Sequence, residues 1–139
     1  MYADTVDRSL LLAGTFAHDL QKEREFRFSA LGLVTDYSVQ GQLLGHLVMG
    51  AQEIADIAKE LDVPEEKSVL LQHLVLSHHG EPEFGAAVRP VCAESELLSY
   101  IDMIDSRMEI YREVLGATPL GGFSDRVFAL DGKKLYHHE

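Results

Sequence analysis

The chain has 139 residues, 46% of them hydrophobic, with 12 Lys and Arg against 23 Asp and Glu and a formal net charge of −11. That length and composition predict a single compact domain over 1–139, and they exclude a disordered chain. The acidic surface repels phosphate backbones at long range, so a nucleotide or nucleic-acid partner needs cations placed locally or a further domain.

Nothing in the chain suggests a membrane or a secretory route. No apolar run approaches bilayer length, and Asp4 and Asp7 precede the first apolar run, where a signal peptide would want Lys or Arg. The lone Cys92 excludes an internal disulfide framework and fits a reducing cytoplasm.

In chain order the pattern is almost all helix. Asp7 or Ser9 can cap a first helix with apolar positions Leu10, Leu11, Leu12, Phe16 and Leu20, ending near residues 18–21. Residues 22–36 mix charge with Phe26, Phe28 and Leu31, show no clean period, and are expected to form a loop or irregular lid. From Ser38 a long helix is predicted to residue 61, because Leu43, Leu44, Leu47, Val48, Ala51, Ile54, Ala55, Ala58 and Leu61 repeat at helical spacing. Pro64 opens a third helix over 65–79, with Glu65 and Glu66 in its first turn and Gly80 as its stop. A loop over 81–91 leads to a fourth helix over 93–115, striped by Leu97, Ile101, Ile104, Met108, Tyr111 and Leu115 and ended by Gly116. The tail, 117–139, is a turn region followed by a small hairpin about Asp131-Gly132, or else irregular.

Each predicted helix brings a potential metal ligand. His18-Asp19 closes the first, His46 lies in the second, His78-His79 closes the third, and Asp102 and Asp105 lie in the fourth. Imidazoles and carboxylates suit catalytic divalent metals, and helical bundles assemble such sites from facing helices. His78 follows Leu74 by four and Leu71 by seven, so it continues an apolar stripe inward and needs a partner there. His46 stands at the edge of a buried face with Gly50 four residues on, and His73 points elsewhere and reads as structural. Periodicity favours Asp105 over Asp102 as the inward carboxylate. Each residue also has a plainer reading: a helix-end dipole contact for His18-Asp19, a hydrogen-bonded core histidine for His46, a solvated helix terminus for His78-His79, and a solvated face for Asp102 and Asp105.

The ordered set His18-Asp19, His46, His78-His79 and Asp102 resembles the HD superfamily of metal-dependent phosphohydrolases. The stretch from His18 through Asp19, Leu20 and Gln21 to Lys22 is similar to that family's HD-I-G-K phrase, with Gln21 in place of Gly. His46 with Gly50 resembles the H-x-x-x-G of HD-GYP-type domains, and the helix around Tyr100, Asp102 and Asp105 resembles the family's last ligand helix. Leu11-Leu12-Ala13-Gly14, Gly45-His46, Ser77-His78-His79-Gly80 and the tail Phe123-Ser124-Asp125-Arg126 resemble the HD domain of YhaM-type 3′-5′ exoribonucleases.

The resemblance implies an all-α HD-domain helical bundle and one or two divalent ions, manganese first, with Mg, Fe, Co, Ni or Zn as alternatives. His18, Asp19 and Asp102, with a histidine from an upstream helix, would hold one ion. His46, His78 and His79 would hold a second, with Asp19 as the bridge; paired ions stand about 3.5–4 Å apart in such sites. Asp19 and Lys22 would serve catalysis, Lys22 by neutralising a phosphate oxygen. Asp105 would orient a ligand or replace Asp102.

The implied substrate is a phosphodiester or nucleotide, with single-stranded RNA or DNA first and an OB-fold domain outside this chain helping to hold it. Glu81-Pro82-Glu83-Phe84 stands where cyclic-di-GMP enzymes carry Gly-Tyr-Pro, which argues against that substrate. No histidine precedes His18, so truncation at the N-terminus is expected. The competing expectations are a non-catalytic helical module for assembly or ligand sensing, and an HD nucleotide phosphohydrolase. A homo-oligomer stays open.

Overall fold

The computed structural model describes residues 2–139, which form two compact units, one up to Tyr100 and one from Ile101 to Glu139. The fold is mostly helical. In order come α1 (Arg8–Ala17), α2 (Lys22–Glu25), β1 (Phe26–Phe28), β2 (Val34–Tyr37), α3 (Val39–Glu60), α4 (Glu65–Ser77) and α5 (Ala93–Ala117). Short 3-10 turns lie at Pro82–Phe84 and Phe128–Leu130.

Local chemistry accounts for the helix starts. Asp7 caps α1 by accepting from the amides of Ser9 and Leu10, and Ser38 caps α3 by accepting from Gly41. In the first unit α4 packs against both α1 and α3, and its residues Leu74, Val75, Ser77 and His78 have no solvent exposure. Gly14 permits this on the α1 side, since a Cβ there would collide with the Leu74 side chain. Leu47, Met49, Ala51 and Ala58 of α3, Leu98 of α5, and Ala86 complete the buried apolar set of this unit. The burial is the main source of stability, because short helices do not persist alone in water.

Residues 22–36 differ from the expected loop. They form α2 and most of an antiparallel hairpin, with Phe26 opposite Tyr37, Arg27 opposite Asp36 and Phe28 opposite Val34. The Phe26 and Tyr37 rings pack 5.0 Å apart. Strands of three and four residues are too short to show a period in the sequence. A further difference lies inside α3, where Gly45 is non-helical (φ 72°, ψ 161°) and breaks the helix immediately before His46.

In the second unit α5 runs through Gly116 to Ala117, past the expected stop. In the tail Leu130 and Leu135 are buried, and isolated bridges join Phe123 to Tyr136 and Val127 to Lys133. Asp131 (φ 59°) and Gly132 (φ 70°) do take the left-handed backbone of a tight turn. The residues before them form a 3-10 turn instead of a strand, so the tail is irregular and the sheet of the molecule lies at β1 and β2. No helix among the described residues is long and apolar enough to cross a membrane.

Candidate metal centre

Four imidazoles and a carboxylate converge in the first unit. His18 is the C-cap of α1, Asp19 follows it, His46 follows the break in α3, and His78 is the C-cap of α4 with His79 beside it. The His78 ring lies 4.9 Å from that of His18, 5.7 Å from His46 and 4.2 Å from His79. One ligand atom from each of Asp19, His46, His78 and His79 lies within 4.8 Å of the other three.

The hydrogen bonds determine which ring nitrogen faces inward. The carbonyls of Thr15 and Val75 belong to the last turns of α1 and α4, where carbonyls lack helical partners. His18 Nδ1 lies 2.7 Å from the Thr15 carbonyl, and His78 Nδ1 lies 2.7 Å from the Val75 carbonyl. A carbonyl only accepts, so both Nδ1 atoms carry the proton and both Nε2 atoms present a lone pair. These lone pairs face Asp19: His78 Nε2 and His46 Nε2 each lie 3.5 Å from Oδ1, and His18 Nε2 lies 3.5 Å from Oδ2.

Asp19 Oδ1, His46 Nε2 and His78 Nε2 are buried without a hydrogen-bond partner. Buried polar atoms of native proteins are nearly always satisfied, so three converging exceptions call for an explanation. A divalent ion supplies one. Two ligand atoms each about 2.1 Å from a shared ion at a tetrahedral angle stand about 3.4 Å apart, close to the 3.5 Å separations found here. Neutral imidazole with carboxylate is also the donor set that Mn, Fe, Co, Ni and Zn accept.

The electrostatics keep these groups in ligand form. Burial acts to raise the Asp19 pKa, but neighbouring groups, the Lys22 ammonium at 2.7 Å among them, outweigh it and hold the carboxyl well below the usual carboxylate range. Burial pushes His46 below the ordinary imidazole value, against the opposing pull of Glu25. Both shifts favour an ionised carboxylate and a neutral imidazole at neutral pH.

Lys22 Nζ lies 2.7 Å from Asp19 Oδ2, at the partly exposed side of the centre. His73 accepts from the Val91 amide at 3.1 Å. Asp102 and Asp105 lie on α5 in the second unit, Asp102 half-buried and Asp105 exposed. Sequence reasoning missed Glu25, which is 7% exposed and whose carboxylate lies 2.9 Å from His46 Nδ1. The one available signal was Gly45, a glycine inside a helical pattern directly before a candidate ligand. An apolar groove of about 650 Å³, lined by Leu10, Phe16, Ile54, Ile57 and Leu71 among others, includes none of the histidines.

A model of the HD domain family matches residues 1–107, and that stretch contains the whole His and Asp cluster. The chain belongs to the HD domain family. It is 42% identical over 132 residues to the 3′-5′ exoribonuclease YhaM of Bacillus licheniformis, and 43% identical over 132 residues to that of Shouchella clausii. Each match covers 95% of this chain but only 41% and 40% of those proteins, so the chain spans about two fifths of the length of these curated relatives. No solved structure matches the chain at a comparable level.

Proposed function

We propose that this chain carries the hydrolytic centre of a metal-dependent phosphodiesterase that trims RNA or single-stranded nucleic acid from the 3′ end. The observation that carries this reading is the convergence of Asp19 Oδ1, His46 Nε2 and His78 Nε2 as buried atoms without hydrogen-bond partners. The names of the two exoribonuclease relatives support the substrate class.

Asp19, His46, His78 and His79 would hold a divalent ion, and His18 would contribute to a second. Bound there, the ions supply charge neutralisation at phosphate and a water acidic enough to attack at neutral pH. Asp19 turns Oδ1 toward His46 and His78 and stays ionised beside the Lys22 ammonium. Lys22, on the open side, would exchange part of its contact with Asp19 for a phosphate oxygen of the incoming strand. Asp105, exposed on α5, would act only by orienting a neighbour or in place of Asp102. Manganese is the expected metal and the cytoplasm the expected compartment.

A second reading is a non-catalytic HD-like module, and the net charge of −11 favours it, since that surface repels nucleic acid. Metal analysis and hydrolysis of bis-p-nitrophenyl phosphate and of 3′-labelled RNA, with and without added manganese, separate the two. Stoichiometric manganese with activity lost in Asp19→Asn supports the enzyme. Stoichiometric manganese without turnover of either substrate supports the module. A chain that takes up no divalent metal sinks the metal-centre reading itself.

A further inference from the structure

His18 and His78 are oriented by carbonyls of their own helices, but His46 has no such support. It lies within α3, directly after the break at Gly45. The amide that follows the break, His46 N–H, donates to Glu25 Oε1 at 3.2 Å, and the other oxygen of the same carboxylate, Oε2, lies 2.9 Å from His46 Nδ1. A carboxylate only accepts, so Nδ1 carries the proton and Nε2 is left as the lone pair facing Asp19.

Glu25 is itself tightly held. It ends α2, its carbonyl accepts the Ser38 amide at 2.8 Å, and Ser38 caps α3. A Cβ at Gly41 would collide with that same carbonyl, so the end of α2 lies directly against the first turn of α3. The backbone of Glu25 is thereby fixed relative to the helix whose break its side chain spans.

We propose that Glu25 is a positioning residue for the metal centre. One carboxylate clamps the broken turn and sets the imidazole tautomer, so that His46 Nε2 meets the ion without rearrangement. The inference rests on the metal-centre reading for its consequence, but its geometry is a property of the metal-free protein. Outer partners of this kind typically change metal affinity by about 10- to 100-fold when removed.

The first test is on the metal-free wild type at about pH 8, above the ordinary imidazole range. Long-range nitrogen–proton NMR correlation reads which ring nitrogen of His46 holds the proton. Nδ1–H is expected, and Nε2–H overturns the proposal with no metal involved. In Glu25→Gln the side-chain amide can donate to Nδ1, so the tautomer is expected to switch to Nε2–H. Calorimetric titration with manganese should then show about 10- to 100-fold weaker binding, with partial recovery in Glu25→Asp. Glu23→Gln, at an exposed position on the same helix, should bind as wild type.

Equal manganese affinity in wild type and a folded Glu25→Gln overturns the proposal. If Glu25→Gln does not fold, the wild-type tautomer and the Glu25→Asp affinity decide. A wild type that binds no divalent metal sinks the metal-centre reading instead, and the tautomer still decides whether Glu25 orients His46.

Discussion

The helix ends of α1 and α4 and the interior of α3 present histidines to the same carboxylate by different means. At the ends, the bare carbonyls of Thr15 and Val75 each face an Nδ1 atom within three residues, so a straight helix orients its own histidine. Inside α3, His46 is turned inward by a break at Gly45 and a carboxylate 21 residues away in sequence. A histidine at a helix end needs only local geometry to be oriented, whereas a histidine within a helix needs a second element, here α2.

The largest effect should come from removing what the two arrangements share. Asp19→Asn leaves all three Nε2 atoms without their charged partner, so manganese uptake should fall to background in metal analysis, a loss greater than the about 100-fold of an outer partner. The same substitution should alter acid stability. The folded Asp19 pKa is lowered, so its contribution is fully present above the unfolded carboxylate value and disappears as pH falls through the folded value. Acid titration of the metal-free protein by circular dichroism should show a loss in wild type that Asp19→Asn lacks.

Next in size, Gly45→Ala breaks only the interior arrangement. The backbone at φ 72° and ψ 161° is a region open almost only to glycine. A cost of about 1–3 kcal/mol in urea unfolding is expected. The NMR signals of His46 should move, while those of His18 and His78 stay.

Lys22→Met should be milder. The ammonium that it removes is 41% exposed, so the stability change should stay below about 1 kcal/mol. Hydrolysis of a phosphodiester should fall with little change in manganese affinity. Smallest of all, Thr15→Ala leaves the carbonyl that orients His18 in place, and Asp105→Asn alters an exposed carboxylate. Both should unfold within about 0.5 kcal/mol of wild type. A large effect of Thr15→Ala on manganese binding would break the claim that the Thr15 carbonyl orients His18.

Local rules made the four long helices, the caps at Asp7 and Ser38 and the stop at Gly80 legible, since each depends on neighbours within a few residues. The burial of His78 was legible for the same reason, as it continues the line of Leu71 and Leu74. On α5 the same reasoning favoured Asp105 over Asp102. There Ile101, Ile104 and Met108 are each more than 40% exposed, so the stripe that pointed to Asp105 is not a buried one.

The sequence by itself determined the helical class, the order of the candidate metal-binding residues along the chain and the place of His18 and His78 at helix ends. Only the tertiary structure decided that Glu25, within a stretch expected to be a loop or irregular lid, is buried against His46, and that α3 breaks at Gly45. The burial of a charge depends on the partner the fold brings to it, and a distant partner leaves no period in the chain.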